Sequence, residues 1–256
     1  MGVILRYKEF LKTYKTRGHR INHLVKYGGL FPIKSNEILA GIVADLMGDG
    51  NLQGDPKWRI DFTSKHIKEL RRFELEMDKA FSIKGKIRKC LSNRFGETYN
   101  IAFNCSPIAR ILFLCGVPSG QKVLQKFDIP HWIKTNKVYF RRFCQRLFSC
   151  EGSIMDEPRR RIPQVRLHMW KSEQHLNDGK HFFNEISRLM KYYFDIDSKI
   201  SIINRKNMRK DGIITRPMVL YIFSNSVLIF HKEIGFEGEK QEKLTGILTS
   251  KAFKTA

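Results

Sequence analysis

The sequence predicts an α+β protein made of two pseudo-symmetric halves, each running helix, hairpin, helix, hairpin, helix. Residues 77–87 read MDKAFSIKGKI and residues 190–200 read MKYYFDIDSKI, so that Met, Phe, Ile, Lys and Ile coincide. Before each copy, an apolar segment ends in an acid and a glycine, at Asp49 and at Glu151. After each copy comes a glycine-containing loop that ends in lysine, GVPSGQK and then GFEGEK. The same landmarks in the same order indicate a duplicated architecture.

These landmarks define the boundaries of the predicted domains. The first half covers residues 36–125, and the second covers residues 137–256, including a C-terminal tail. Residues 126–136 form the linker, where a proline and polar turn residues interrupt the helical periodicity. Residues 1–35 form a basic N-terminal extension that we expect to be solvated, within which residues 18–24 faintly resemble a helix-turn-helix.

An amphipathic helix leads into each repeated segment. Apolar residues spaced three and four apart lie on one face of a helix, which predicts that this face is buried. Ser64 and Ser172 stand where the N-caps of the two helices are expected. The predicted buried positions are Leu70, Phe73, Met77 and Phe81 in the first helix, and Phe183, Ile186, Met190 and Phe194 in the second.

Segments between the helices alternate apolar and polar residues, which predicts strands with one buried and one open face. Basic and amide side chains are frequent on the open faces, and such groups bond to phosphates and to base edges in the major groove of DNA. Residues 213–224 alternate poorly, so their faces stay unassigned. The candidate DNA-binding residues are Lys57, Arg59, Lys84, Lys86, Arg88, Asn100, Asn104, Gln164, Arg166, His168 and Lys199.

The charge balance favours a polyanionic partner. Lys and Arg number 47 against 25 acids, which gives a net charge of +22. These charges are spread along the chain instead of forming one amphipathic stretch, which favours nucleic acid over an anionic membrane surface. The apolar runs are of strand length, too short to span a bilayer. We therefore expect an intracellular protein, cytoplasmic in a prokaryote or organellar, with no membrane partner.

The five cysteines, an odd number, show neither a CxxC pair nor the ligand spacing of a zinc site. Free thiols in a reducing compartment are therefore expected.

Asp49 and Glu151 are the candidate catalytic acids and metal ligands. The helix dipole disfavours a carboxylate at a helix C-terminus, so two such acids at corresponding places of a repeat indicate a bound cation. The carbonyl groups of Gly48 and Cys150 precede the acids, and oxygen ligands of this kind suit Mg²⁺. Ala44 and Gly48 have the four-residue spacing of closely packed helices, so we expect the two acids to meet at the end of a helix pair.

The segments IVADLMGDG (42–50) and CQRLFSCEG (144–152) resemble the paired motifs of LAGLIDADG homing endonucleases, in their monomeric two-motif form. The resemblance covers about residues 36–243. It implies two αββαββα halves joined by paired motif helices, with a β-saddle that reads the major groove of double-stranded DNA. It also implies Mg²⁺-dependent hydrolysis of phosphodiester bonds on both strands, with Mn²⁺ or Ca²⁺ able to replace Mg²⁺ in binding.

The resemblance also concerns Lys122 and Lys240, the lysines that end the two glycine-containing loops. In the family, a basic residue near each metal polarises water or neutralises the phosphate, so these lysines are candidate catalytic residues. The alternative is that each lysine caps the carbonyl end of a helix or lies in solvent. Arg146 departs from the family because it occupies the third position of the second motif, where a small residue is usual, and an asymmetric helix interface is therefore expected.

Three alternatives to an intron-encoded endonuclease stay open. An RNA maturase, with intron RNA as its partner, or a non-catalytic DNA-binding protein could use the same fold. A separate nuclease site could involve Asp195, Asp197 and Lys199. The chain lacks the splicing residues of an intein at either end, so we expect a free-standing protein.

Overall fold

The element order αββαββα occurs twice, once in each of two units of the chain. The computed structural model describes residues 2–90, 96–157 and 161–252. The first unit comprises residues 1–120 and 130–135, and the second comprises residues 121–129 and 136–256. The predicted α+β class with two similar halves is confirmed.

In the first unit, the repeated part is a four-stranded antiparallel sheet with its helices. The elements of the whole unit are α1 (Tyr7–Leu11), α2 (Arg17–Tyr27), α3 (Glu37–Met47), α4 (Ile67–Phe81), α5 (Ser106–Leu114), α6 (His131–Lys134), β1 (Val3–Leu5), β2 (Ile33–Lys34), β3 (Gly50–Gln53), β4 (Arg59–Ser64), β5 (Lys86–Lys89) and β6 (Tyr99–Phe103). The sheet has the strand order β3-β4-β6-β5, and β1 pairs separately with β2. Helix α4 lies against the sheet and contacts β4 and β6.

In the second unit, the corresponding sheet is antiparallel and larger. Its elements are α7 (Lys137–Glu151), α8 (Leu176–Phe194), α9 (Val227–Glu233), α10 (Glu239–Ala252), β7 (Gly152–Met155), β8 (Gln164–Ser172), β9 (Ser198–Ile202), β10 (Asn207–Met208) and β11 (Ile214–Ile222). The strand order is β10-β11-β8-β7, and β9 also pairs with β11. Helix α8 packs on this sheet as α4 packs on the first one.

The two amphipathic helices bury the faces that the sequence predicts. All four predicted positions of α4 and all four of α8 are buried. The ring of Phe73 in α4 stacks on the ring of Phe62 in β4, with 4.7 Å between ring centroids. Burying an aromatic side chain of this size stabilises the folded state by roughly 1.5–3 kcal/mol. The apolar spacing therefore identifies which side of each helix faces its sheet.

Both helices end in the same backbone conformation, which explains why the repeated segments align. Ser82 follows α4 with φ 53°, and Asp195 follows α8 with φ 58°, so both residues are left-handed. The predicted N-caps were wrong. The hydroxyl of Ser64 accepts from the backbone of His66 before α4 begins, and Ser172 precedes a 3₁₀ turn before α8. In each case the serine lies in a turn upstream of the helix.

The N-terminal segment is part of the first unit, so the prediction of a solvated extension was wrong. Phe10 is completely buried, and β1 pairs with β2. The guanidinium of Arg110 in α5 lies 4.3 Å from the ring centroids of both Tyr14 and Trp58, and it also donates to the carbonyl of Thr13. These apolar and cation–π contacts hold the segment against the unit. Residues 18–24 lie within the single helix α2, so they do not form a helix-turn-helix.

Residues 121–129 belong to the second unit, which differs from the predicted linker at residues 126–136. Lys171 in β8 accounts for this attachment. Its ammonium donates to the carbonyls of Lys122, at 2.7 Å, and Gln125, at 2.6 Å. It also lies 4.0 Å from the ring centroid of Phe127. Only 1% of Lys171 is exposed, and burial lowers the pKa of its ammonium to about 8.

This lowered pKa predicts a pH-dependent contribution of Lys171 to stability. Between about pH 8 and the ordinary lysine pKa near 10.5, the unfolded chain holds a proton that the folded chain has lost. The free energy of unfolding should therefore rise with pH across this range, and fall as the pH drops through 8. The free energy of unfolding of the wild type and of Lys171→Met is measured by urea unfolding. The difference between the two should change in favour of the wild type as the pH rises from 7.5 to 10. Lys180→Met, at an exposed position of α8, should show no such shift. A Lys171→Met difference that is constant with pH would contradict the prediction.

All five cysteines are free thiols, as predicted. Across the described ranges of the chain, no helix is both long enough and apolar enough to cross a membrane.

Candidate catalytic acids and nucleic-acid interface

Asp49 lies at the junction between the first motif helix and its sheet. Helix α3 begins after Asn36, whose side chain accepts from the backbone N–H of Leu39 at 2.8 Å. The helix ends at Met47, two residues before Asp49, and β3 begins immediately after the acid. Asp49 is exposed. The first acid is therefore presented by a short turn instead of by the last residue of the helix.

Glu151 occupies the corresponding junction in the second unit, where it is the last residue of α7. An asparagine cap again begins the helix, since Asn136 accepts from the backbone of Val138 and of Tyr139. Glu151 is half-buried, and the strand β7 begins at the next residue. Both candidate acids thus lie where a buried helix meets the first strand of a sheet.

Lys240 lies at the carbonyl end of α7. Its ammonium donates to the carbonyls of Ser149 at 2.6 Å, Cys150 at 3.2 Å and Gly152 at 2.8 Å. These carbonyls flank Glu151 in the sequence, so a positive charge stabilises the negative end of the helix beside the candidate acid. The geometry fits helix capping, one of the two alternatives for Lys240.

Lys122 has a different environment from Lys240. It begins a 3₁₀ turn at residues 122–124 and is half-buried. Its carbonyl accepts from Lys171 at 2.7 Å. The two lysines correspond in the sequence repeat, but Lys122 begins a 3₁₀ turn whereas Lys240 lies in the first turn of α10.

Arg146 is fully buried within the second unit, which explains its departure from the motif. Its guanidinium donates to the Glu237 carboxylate at 2.6 Å, and Arg142 contacts the same carboxylate. The backbone N–H of Glu237 donates to the hydroxyl of Ser149 at 2.9 Å. Sequence reasoning missed Glu237, although arginines four residues apart on α7 could have indicated that an acid was required.

The first motif helix also carries one buried charge, but of the opposite sign. Asp45 is 0% exposed and pairs with Arg72 of α4 at 2.9 Å. Arg72 also contacts Glu69 and Glu76 on its own helix. Each motif helix is therefore fixed within its unit by an ion pair that the motif alone does not reveal.

The first sheet presents the predicted cationic and amide side chains on its open face. Asn100 in β6 pairs in register with Arg88 in β5, and Lys86 lies on the same face two residues earlier. Arg59 in β4 shares this face and donates to the carboxylate of Asp61 at 2.6 Å. Because paired residues in neighbouring strands point to the same side, these four predicted residues form one surface.

Three predicted contact residues lie outside the strands of this sheet, which corrects their assignment to strand faces. Lys57 is in the connection between β3 and β4, before Trp58, whose φ of 45° interrupts the alternation. Lys84 precedes β5, and Asn104 follows β6. All three predicted residues are exposed, so they are placed at the ends of strands instead of on the face itself.

The second sheet centres its open face on Arg166 of β8. Arg166 pairs with Tyr221 of β11, which in turn pairs with Lys199 of β9. The guanidinium lies 5.2 Å from the centroid of the Tyr221 ring and donates through Nε to Gln164 at 2.8 Å. Sequence reasoning missed Tyr221 because its strand lies in the segment that alternates poorly.

His168 shares this face and bonds to a neighbouring strand. Its Nε2 atom is 2.8 Å from the hydroxyl of Ser153 in β7. Burial, followed by the charges of Arg166 and Lys240, lowers the pKa of His168 below its ordinary value. Because Nε2 is engaged with Ser153, Nδ1 is the ring nitrogen through which His168 would bond to a ligand.

No protein-family model matches the chain. The replication factor C small subunit of Methanocaldococcus jannaschii is 28% identical over 182 residues, covering 67% of this chain and 10% of that protein. The tRNA-splicing ligase RtcB of Pyrococcus abyssi is 22% identical over 254 residues, covering 94% of this chain and 27% of that protein. The chain thus spans about a quarter or less of the length of these relatives. The two relatives have different activities by name, so their similarity to this chain does not indicate a common activity.

Solved structures identify the fold. The homing endonuclease I-WcaI, bound to its DNA recognition sequence, superposes with a TM-score of 0.55 at 14% identity, covering 93% of this chain and 91% of that one. The homing endonuclease I-DmoI in complex with DNA and Ca superposes with a TM-score of 0.50 at 16% identity, covering 82% of this chain and 97% of that one. The N-terminal LAGLIDADG domain of DUF199/WhiA superposes with a TM-score of 0.50 at 17% identity, covering 96% of this chain and 100% of that one. This chain has the LAGLIDADG fold. The predicted fold is therefore confirmed.

Within each unit, the oxygen atoms at the candidate acid are of the chemical kind that a hydrated magnesium ion binds. Among the described residues, no three or more His, Cys, Asp or Glu side chains lie together in a group that could hold a metal. Each unit instead offers one carboxylate and the preceding carbonyl, Asp49 with Gly48 and Glu151 with Cys150. Mg²⁺ usually keeps several waters and takes one or two carboxylates together with substrate phosphates. At Cys150, a cation would share the carbonyl with the ammonium of Lys240.

Proposed function

We propose that the chain is a site-specific endonuclease that hydrolyses phosphodiester bonds on both strands of a DNA target, acting as a monomeric homing endonuclease with Mg²⁺. The observation that carries this proposal is the position of the two acids. In each unit of the LAGLIDADG fold, one carboxylate lies at the junction between the motif helix and a sheet whose open face is cationic. This position supports the proposal, because a carboxylate that can bind a divalent cation would lie next to a surface suited to the DNA backbone.

The acids and the lysines would have different roles in cleavage. Asp49 with the Gly48 carbonyl, and Glu151 with the Cys150 carbonyl, would each hold a divalent cation. When bound, the metal activates water and stabilises the leaving oxygen of the phosphodiester. Lys240 is proposed as a positioning residue, because its three hydrogen bonds fix the backbone on both sides of Glu151. Lys122 is proposed to place its charge near the phosphate.

Recognition of the target is assigned to the open faces of the two sheets. Arginine forms paired hydrogen bonds with guanine, and asparagine or glutamine with adenine, in the major groove. Arg166, Gln164 and Asn100 lie on strands and can present such groups to base edges. Arg88, Lys86 and Lys199 are proposed to contact phosphates or bases on the same faces. Arg59, Lys57, Lys84, Asn104 and His168 complete the proposed contact set.

A binding protein without cleavage activity, acting on DNA or on intron RNA, is the second candidate. Two observations favour it: the Cys150 carbonyl already accepts from Lys240, and each unit by itself offers a single carboxylate at its junction. Such a protein would use the cationic faces and would have no need of the acids.

A selection from a randomised duplex DNA library distinguishes the candidates. With Mg²⁺ or Mn²⁺, we expect a defined sequence to be cut on both strands, leaving staggered ends. With Ca²⁺, the same sequence should be bound without being cut, and EDTA should prevent cleavage. Binding of a defined sequence that is never cut with Mg²⁺ or Mn²⁺ would favour the non-catalytic candidate. Preferential enrichment from a structured RNA library would favour the maturase.

A further inference from the structure

The N-terminal segment of the first unit carries a strong positive charge that the repeated fold does not require. Residues 1–35 contain eight lysines and arginines but only one acid, Glu9. Lys15, Arg20 and Lys26 are exposed, and we call these three residues the N-terminal basic surface. Within the described residues, no carboxylate forms an ion pair with Arg20 or Lys26. The segment is nevertheless folded, since Phe10 and Tyr14 anchor it to the unit.

The contacts of this segment place it at one end of the first sheet. Lys15 pairs with Asp55, in the connection between β3 and β4, at 2.6 Å. The hydroxyl of Tyr27 at the end of α2 lies 3.3 Å from Cys105, two residues after β6. These two places belong to the same end of the sheet, because Ile60, near the start of β4, pairs with Phe103, the last residue of β6.

Predicted DNA contacts of the first sheet lie at this same end. Arg59 begins β4 directly after the connection that Lys15 contacts, and Asn104 follows β6 directly before Cys105. The N-terminal basic surface therefore adjoins the part of the first unit that is proposed to face the major groove.

A cavity of about 440 Å³ opens on this surface. It is lined by Tyr14, Lys15, Thr16, Arg20 and Ile21. Lys15 and Arg20 bring two cations to one opening, and cationic donors of this kind bond to phosphate groups. Asp55 neutralises part of the charge of Lys15, whereas the charge of Arg20 is not offset by an ion pair among the described residues.

We propose that this surface is a second DNA-binding element, which holds a backbone phosphate of duplex DNA flanking the recognition site through Lys15 and Arg20. The inference rests on the proposed function for the presence of DNA on the sheet. It adds a contact outside the repeated fold, made by the first unit alone. The contact contributes affinity without reading sequence, because its ligand is the sugar-phosphate backbone.

The salt dependence of binding tests this inference on the full chain. The probe is a mixed-sequence DNA duplex of about 30 base pairs, with binding measured by fluorescence anisotropy in Ca²⁺ over a range of salt concentrations. Each lost phosphate contact lowers the slope of log K against log salt by about 0.9. Lys15 and Arg20 are proposed to hold one phosphate together, so Lys15→Gln/Arg20→Gln should lower the slope by about 0.9 and weaken binding by roughly tenfold near 0.1 M salt.

A matched control removes the same charge elsewhere on the first unit. Lys68→Gln/Lys79→Gln changes two exposed lysines of α4, the helix that packs on the buried face of the sheet. This variant should keep the slope and affinity of the wild type. Equal effects of the two double variants would overturn the inference, because they would reflect net charge alone. An unchanged slope in Lys15→Gln/Arg20→Gln, with melting like that of the wild type, would also overturn it.

Further measurements separate this inference from its alternatives. If the variant weakens binding only to single-stranded RNA, or only to vesicles of anionic phospholipid, the duplex DNA contact is excluded. Cleavage of the selected target in Mg²⁺ is followed in parallel. An unchanged slope with cleavage intact overturns the inference alone. A lowered slope with a wild type that never cleaves overturns the proposed nuclease and leaves the binding element in place.

Discussion

Asp49→Asn and Glu151→Gln are each expected to abolish double-strand cleavage while leaving DNA affinity largely unchanged. An amide keeps the shape of the side chain but removes the charge that would bind a divalent cation. We expect the single-turnover rate to fall by on the order of 1,000-fold, which corresponds to about 4 kcal/mol of lost transition-state stabilisation. The cationic open faces are intact in both variants, so binding measured with Ca²⁺ should change by less than about tenfold, or about 1.4 kcal/mol.

The control for these variants is Asp78→Asn, which removes a charge from near the end of α4 in the first unit. It should cleave at the wild-type rate. If one acid variant accumulates nicked DNA, that acid acts mainly on one strand. Cleavage that persists in both acid variants would show that the metal ligands are elsewhere, and would reopen the alternative site at Asp195, Asp197 and Lys199.

Glu237→Gln is expected to lower the stability of the second unit strongly, because it removes the partner of a buried charge. Arg146 is 0% exposed and donates to the Glu237 carboxylate at 2.6 Å, and Arg142 shares that carboxylate. Removing one partner of a buried ion pair leaves an uncompensated charge, which costs roughly 3–5 kcal/mol. Urea unfolding should show that the free energy of unfolding decreases by this amount.

Two further variants show whether the buried charge is the cause. Glu173→Gln breaks an exposed ion pair with Lys206 and should cost less than about 1 kcal/mol. Arg146→Met/Glu237→Leu removes both charges, so it should be more stable than Glu237→Gln. If Glu237→Gln and Glu173→Gln cost the same, the Arg146 pair contributes no more than a surface ion pair.

Glu237 also connects stability with the proposed site. Its backbone N–H donates to Ser149, and Lys240, three residues later, donates to the carbonyls around Glu151. The loop therefore holds its lysine at the end of α7. Any loss of cleavage in Glu237→Gln should be smaller than the loss in Glu151→Gln, because Glu237 affects the acid only through the backbone.

The sequence by itself predicts features that depend on local periodicity. The positions of Phe73 and Phe183 follow from the helical repeat, because residues three and four apart share a face whatever the rest of the chain does. Strand alternation places Arg166 on an open face in the same way. Asp49 and Glu151 are recognisable because an acid followed by glycine recurs at corresponding points. Local spacing was therefore sufficient for the fold class, the repeat and the candidate acids.

Only the tertiary structure reveals the features that depend on residues distant in the chain. Arg146 is a mismatch in its motif until Glu237, 91 residues later, is found beside it. Arg110 reaches back 97 residues to Thr13, which turns an expected solvated extension into part of the first unit. Residues 121–129 belong to the second unit because Lys171 binds them there. A buried charge requires a partner wherever the fold supplies one, and no local pattern encodes which residue that partner is.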